Sequence, residues 1–281
     1  MRRGLAAVAV LTAVAVAGCD DGPRPDLVLK GTPPATPYSG PLYVPTKELD
    51  EQSPRAMRLA SGAAGRALEC DGEIFDGSGP GGWSRSDGGA TPEEGLAFYF
   101  DMAQPELPDH GYRVEREEPD RVLYSYDVGG RTKVAVVVAK DQKDRPGWGP
   151  ETDASCDPAE LPESFTATTG WQIWTDRAGR RVPVTRLHSA PGPEHCGWQS
   201  ADFLTLDDRT YARDPDGVLG RDGLLRAPYR KDVRMPADAR DTGYHHRGRR
   251  LWLTADKATA YVRTDHGVEA WPQAKDGVGC A

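Results

Sequence analysis

Five cysteines, the residues of this chain best suited to covalent chemistry, are spread widely through its 281 residues. A cysteine thiolate can bind a metal, attack a substrate, accept a lipid or pair in a disulfide. Metal sites favour closely spaced ligands such as a CxxC motif, and no such spacing occurs here. The sequence therefore predicts no metal site, and it favours modification or disulfide formation. The five are Cys19, Cys70, Cys156, Cys196 and Cys280.

The first cysteine follows a short apolar stretch at the start of the chain. Arg2 and Arg3 supply positive charge, and residues 5–16 are apolar except for Thr12. A run of this length is typical of a signal-peptide core and is too short to span a bilayer. The sequence therefore predicts export of the rest of the chain.

The residues at the end of this stretch, Val16-Ala17-Gly18-Cys19, resemble the lipobox of bacterial lipoproteins. That resemblance implies that residues 1–18 are a signal peptide and that Cys19, diacylated on its sulfur, becomes the first mature residue. It places the protein at the extracytoplasmic face of the cell membrane, held there by a lipid anchor. With a Pro-rich segment and a bias toward Ala, Gly, Pro, Arg and Asp, the chain also looks like uncharacterised lipoproteins of high-GC Gram-positive bacteria (actinobacteria). This second resemblance implies a location and no activity.

Four cysteines remain once Cys19 carries lipid, and an even number in an oxidising compartment indicates two disulfides. Three pairings are open. We favour Cys70–Cys156 and Cys196–Cys280, because each bond then closes one half of the chain.

No residue pattern identifies a catalytic centre. Ser200 lies near Cys196, but no glycine follows it at the spacing of a nucleophile elbow. His245 and His246 are adjacent, and neighbouring side chains on a strand point to opposite faces. No phosphate-binding loop or dinucleotide fingerprint occurs. The sequence therefore predicts neither a cofactor nor a catalytic residue, and it favours binding over catalysis.

One segment is strongly basic against an acidic background. Between residues 226 and 250, eight basic residues accompany three acidic ones. Such a patch fits an anionic partner such as lipid headgroups, wall polymers or an acidic protein, whereas a solvated loop is the alternative. The basic residues are Arg226, Arg230, Lys231, Arg234, Arg240, Arg247, Arg249 and Arg250.

The whole chain has a formal charge of −8, which argues against general nucleic-acid binding. Seven tryptophans offer another kind of surface, because indole rings stack on sugars. Packing in thin sheets explains most of them more simply.

Hydrophobic periodicity predicts an α+β fold with two halves, each built on an antiparallel meander. In the first half it predicts two helices, one weakened by Gly62 and Gly65 and one starting at a capping box, Thr91-Pro92-Glu93-Glu94. Residues 71–90 are expected to be loop. The predicted helices and strands of this half are Ala56–Glu69, the capped helix ending before Pro105, Tyr112–Glu118, Val122–Val128, Lys133–Ala139 and a weaker strand at Trp148–Ser155.

The second half is expected to be mostly β, with loop at residues 189–195 and irregular structure at 218–243. Its predicted strands are Trp171–Thr175, Val182–Leu187, Arg209–Arg213, Leu251–Thr254, Thr259–Arg263 and Val268–Trp271. The predicted organisation is a signal peptide (1–18), a lipidated cysteine with a Pro-rich tether (19–54), an α+β domain (55–164) and a mostly β domain (165–281). Within the tether, residues 40–45 either lie along a sheet edge or form exposed spacer.

The sequence thus favours a lipid-anchored envelope protein that acts as a binding module. Its expected partners are the membrane, through the anchor, and a cell-wall polymer or envelope protein. A hydrolase whose site forms only in the fold is the alternative. A small-solute receptor is a third, weakened by the lack of alternating strands and helices.

Overall fold

The computed structural model describes residues 26–31, 36–51, 53–79, 84, 88–103 and 107–277, which form an α+β structure dominated by antiparallel sheet. The helices are α1 (Pro54–Ala60), α2 (Gly62–Ala67), α3 (Pro92–Ala103), α4 (Glu163–Thr166) and α5 (Val218–Arg221). The first sheet contains β1 (Ile74–Ser78), β2 (Arg113–Glu118), β3 (Arg121–Val128), β4 (Arg131–Gln142) and β5 (Arg145–Cys156). The second contains β6 (Gln172–Ile173), β7 (Leu187–Pro191), β8 (Asp202–Leu206) and β9 (Arg209–Arg213). The third contains β10 (Arg240–His246), β11 (Arg249–Leu253), β12 (Thr259–Thr264) and β13 (Gly267–Pro272).

The five-stranded sheet has the order β1-β5-β4-β3-β2, with β4 at its centre. Successive side chains of a strand point to opposite faces. Val134, Val136 and Val138 accordingly pack in the core beneath α3, whereas Ala135 and Val137 face the core that contains α2. All five are fully buried, as expected for an apolar run with helices on both sides of the sheet.

Helix α3 forms where the capping box predicts it. The Glu94 amide donates to Thr91 Oγ1 at 3.2 Å, and the Glu94 carboxylate accepts from the Ala90 amide at 2.6 Å. Leu96 and Tyr99 are buried against the sheet. The helix predicted at 56–69 is instead two short helices, because Gly62, the first residue of α2, takes a left-handed conformation (φ 51°).

Strand β1 was not predicted, because residues 71–90 have the glycine, serine and aspartate content of a loop. Ile74 pairs with Cys156 and Ser78 pairs with Asp153, so β1 is an edge strand held by β5. Hydrogen bonding to β5 outweighs the weak intrinsic β-propensity of these residues.

Two stretches of the predicted tether contact the first sheet. Val28 forms a parallel bridge with Tyr112 at the start of β2. Leu42 is 1% exposed and packs in the α2-side core, and the Tyr38 amide donates to the Glu115 carboxylate at 2.6 Å. The Leu42 amide also donates to the Glu118 carboxylate of β2, the edge strand, at 3.3 Å. The segment thus lies against this sheet edge, with Leu42 in the core and Tyr43 60% exposed, and it forms no strand.

The second and third sheets face each other around one core, which contains Trp174 and Trp271. Each sheet is a four-stranded meander in chain order. A single antiparallel bridge joins them at each side, Thr175 with His245 and Tyr211 with Gln273. The β-rich second half is thus a sandwich whose sheets are also hydrogen-bonded to each other.

Three predictions in this half are wrong, namely the strand at 182–187, the loop at 189–195 and the irregular segment at 218–243. The strand expected at 182–187 begins only at Leu187, because Pro183 accepts turn hydrogen bonds from the Arg186 and Leu187 amides; β7 then continues through residues expected to be loop. Strand β10 lies partly in a segment expected to be irregular, where a register shift between Asp241 and His245 hides its alternation. The final meander forms as predicted.

The disulfide between Cys70 and Cys156 confirms one predicted pairing, with 5.3 Å between the Cα atoms. It joins the segment after α2 to the end of β5. Cys196 is also disulfide-bonded. Its predicted partner, Cys280, lies outside the described residues, so this pairing stays a prediction. The predicted signal peptide and Cys19 also lie outside the described residues.

Polar contacts join the first sheet to the sandwich. The buried Asp157 carboxylate accepts from the Val184 amide at 2.9 Å and the Thr185 amide at 3.3 Å. Arg181 donates to the Leu161 carbonyl and, at 2.7 Å, to Thr166 Oγ1. The domain boundary predicted after residue 164 falls inside α4, which belongs to this junction.

Among the described helices, none has the length and apolar content needed to cross a bilayer.

Candidate anion-binding face

The structure distributes the predicted basic patch over several surfaces. Arg226 pairs with Asp276 at 3.0 Å, and Arg249 is half-buried with its guanidinium 3.8 Å from Asp202. These two arginines already have carboxylate neighbours. The other six are exposed and form no ion pair within the described part of the chain. They are Arg230, Lys231, Arg234, Arg240, Arg247 and Arg250.

A row of basic side chains crosses the outer face of the third sheet. Arg250 on β11 pairs with His245 on β10 and with Arg263 on β12. Residues paired directly across strands share a face, and like charges at such positions destabilise a sheet. Neither arginine has an ion-pair partner in the residues described. A bound anion would therefore relieve repulsion already present in the fold.

Arg177 joins this row from the loop that follows β6. Its Nη2 donates to the Asp241 carbonyl at 3.1 Å, and its side chain lies directly over Gly243 in the irregular part of β10. Arg177 and Arg250 line one shallow cavity of about 320 Å³, together with Tyr244, His245 and the Asp241 carboxylate.

Aromatic side chains form the next row of the same face. Trp252 on β11 pairs with Tyr261 on β12, and both are half-buried. Beyond them, Arg230 bridges to Ala270 on β13. We call this surface the arginine face; it comprises Arg177, Arg230, His245, Arg250, Trp252, Tyr261 and Arg263. Asp232 and Asp265 lie at its margins, and Asp241 lines the cavity beside Arg177 and Arg250.

Sequence reasoning missed Arg177 and Arg263, because both lie outside the basic segment. The alternation of Thr259–Arg263 shows that Arg263 shares a face with Tyr261. Its position beside Arg250 depends on strand register, which a single sequence does not specify.

The two adjacent histidines point in opposite directions, as strand alternation predicts. His245 lies on the arginine face, whereas His246 Nδ1 donates to the Ile173 carbonyl at 3.0 Å. Burial lowers the pKa of His246, and the nearby charges of Arg247 and Arg249 lower it further, against the effect of the hydrogen bond. His246 is therefore neutral at pH 7 and has Nε2 as an acceptor.

One trio of described residues has metal-ligand spacing: Cys70, Cys156 and Glu160. The two sulfurs are bonded to each other, so they offer no thiolates to a metal. The Glu160 carboxylate instead accepts from Lys133 Nζ at 2.6 Å.

Comparison of the chain with known protein families, curated proteins and solved structures gives no match.

Proposed function

We propose that this chain is a lipid-anchored protein of the extracytoplasmic envelope that binds an anionic cell-wall polymer through the arginine face. The observation that carries the proposal is the cross-strand pair of unneutralised arginines, Arg250 and Arg263, extended by Arg177. Two guanidiniums on one sheet and a third on the adjoining loop can contact successive anionic groups of an extended chain.

The aromatic row favours a polymer that contains sugars over a bare phosphate or a lipid headgroup. Trp252 and Tyr261 lie beside the cationic row and are partly exposed. Their rings offer an apolar surface next to the guanidiniums, so a chain of sugars bearing anionic groups satisfies both rows at once.

The location rests on the lipobox at Val16-Ala17-Gly18-Cys19. Two acyl chains on Cys19 give stable membrane attachment, whereas a single chain binds only marginally. An oxidising compartment agrees with the Cys70–Cys156 disulfide. We further propose that a Cys196–Cys280 bond closes the second half, so that each half carries its own disulfide.

An envelope hydrolase is the alternative, and one observation favours it. His246 lines a cleft and its ring is oriented by a backbone carbonyl, as in a general base. The cleft contains no serine or cysteine among its described lining residues. The hydroxyls of its threonines Thr166, Thr169 and Thr175 all donate to backbone carbonyls. This arrangement supports ligand binding better than nucleophilic hydrolysis.

Co-sedimentation with purified wall sacculi tests the polymer proposal. The chain should start at Asp26, because residues 26–29 are hydrogen-bonded to the first sheet at Gly111 and Tyr112 and Leu42 is buried in the core. We expect the wild-type protein to bind sacculi in a salt-sensitive manner. Replacing Arg250 and Arg263 together by Gln should weaken binding by about tenfold or more, since two charge-assisted contacts are lost.

The matched control replaces Arg55 and Arg66 by Gln. Both are exposed arginines on α1 and α2, so the net charge changes equally without touching the arginine face. Equal loss of binding in the two double variants would contradict the proposal. Binding to anionic vesicles but not to sacculi would identify lipid headgroups as the partner instead.

A further inference from the structure

A separate cleft of about 400 Å³ lies where α4 and the following loop meet β6 and the end of β10. Its walls include Glu163, Trp171, Gln172, His246 and Arg247. His245 of the arginine face also lines the cleft, whereas Arg177, Arg250 and Arg263 do not. The polymer-binding proposal does not use this cleft.

A hydrogen-bond network fixes one donor of the cleft. Trp174 Nε1 donates to Ser189 Oγ at 3.0 Å, and Ser189 Oγ donates to Gln172 Oε1 at 2.8 Å. Arg249 also donates to Gln172 Oε1 at 3.3 Å. Since arginine can only donate, the Gln172 oxygen must face it. The Gln172 amide NH₂ is left as an oriented donor, and it has no partner within the ranges described.

Opposite charges line the cleft without pairing to each other. Glu163 and Arg247 are both exposed, and neither makes an ion pair or side-chain hydrogen bond with the described residues. Glu163 lines the cleft together with Arg181 and His246. Its negative charge raises the pKa of both side chains, against the larger effect of burial. Arg181 donates hydrogen bonds to the Leu161 carbonyl and to Thr166 Oγ1.

An aromatic side chain forms a rigid wall of the cleft. The Trp171 ring makes edge-on contacts with His188, at 4.6 Å between centroids, and with Phe75 on β1, at 6.4 Å. These contacts on two sides hold the indole in place. The cleft therefore combines an apolar surface with fixed polar groups, which is typical of small-molecule sites.

We propose that this cleft binds a free α-amino acid. The ligand carboxylate would meet the Arg247 guanidinium and the Gln172 amide NH₂, which supply a positive charge and a donor. The ligand ammonium would meet the Glu163 carboxylate and His246 Nε2, which are both acceptors. Trp171 would contact the ligand side chain.

Isothermal titration of the chain from Asp26 onward with the standard free amino acids tests this proposal. We expect at least one to bind, and we expect its N-acetyl and carboxamide derivatives to bind about ten- to a hundredfold more weakly, because each lacks one charged contact. This comparison uses the wild-type protein throughout, so it does not depend on how any variant folds. Failure of every free amino acid to bind at millimolar concentration would overturn the proposal.

Two variants test which charged group of the ligand contacts Arg247 and which contacts Glu163. Arg247→Gln should reduce the penalty for amidating the carboxylate, and Glu163→Gln should reduce the penalty for acetylating the amine. Equal selectivity in wild type and both variants would also overturn the proposal. Arg250→Gln is the matched control, since it lies on the arginine face. It should leave amino-acid binding unchanged, so the two proposals can fail independently.

Discussion

At the scale of single residues, Asp153 is the most perturbed acid described. Burial raises its pKa to about 6, and the nearby Asp76 charge adds to the effect, whereas the Ser78 hydroxyl opposes it. The folded protein therefore holds a proton that the unfolded chain releases at a lower pH, near the ordinary value of 3.8. The free energy of unfolding should fall as pH rises from about 4 to about 6 and then level off.

Replacing Asp153 by Asn should remove this pH dependence. The amide keeps the shape and an acceptor for Ser78 without a charge. At pH 7.5 we expect the variant to be more stable than wild type by about 3 kcal/mol, and at pH 4 the two should be similar. Urea denaturation at both pH values measures this. Asp101→Asn, at an exposed position of α3, should change neither value, and equal stability of Asp153→Asn and wild type at pH 7.5 would contradict the expectation.

At the scale of elements, strands and helices with strong local signals were predicted and those that depend on partners were not. The capping box of α3 and the apolar run of β4 predict a helix and a strand from neighbouring residues alone. Strand β1 exists because β5 offers it a partner, and β10 is hidden by its register shift. For the same reason, the sequence located Arg250 in a basic segment but not the cross-strand neighbours that place it in the arginine face.

The irregular part of β10 also positions Arg177 of the proposed polymer site, and this can be tested at Gly243. Its φ is 83°, and an added Cβ would lie 2.6 Å from Arg177 Nε. Gly243→Ala should therefore displace Arg177 and weaken polymer binding, and the strained backbone should cost about 1–3 kcal/mol of stability.

Sacculus binding and urea denaturation measure the two effects at Gly243. Gly170→Ala is the matched control, because its Cβ would meet nothing within 4 Å and its φ is not positive. Wild-type binding by Gly243→Ala would show that Arg177 does not contribute to the arginine face.

At the scale of the whole molecule, the proposed lipid anchor would determine where both proposed sites operate. We expect Cys19→Ser to release the protein from the membrane fraction and to abolish acylation, because the lipobox thiol is the proposed attachment point. Membrane fractionation and mass spectrometry of the N-terminal peptide measure this. Cys196→Ser removes a cysteine that lies outside the Cys70–Cys156 pair and is not proposed to carry lipid, so this variant should remain acylated. Persistent acylation of Cys19→Ser would show that Cys19 is not the lipid attachment site.

The bridge between Val28 and Tyr112 limits how far such an anchor can reach. Only six residues separate Cys19 from Asp26, where the described contacts with the start of β2 begin. Even a fully extended chain of this length spans no more than about 25 Å. An acylated protein would therefore sample a thin zone next to the bilayer and not the depth of the wall. A wall polymer bound by the proposed arginine face would have to enter that zone, which favours the inner, membrane-proximal end of a wall chain.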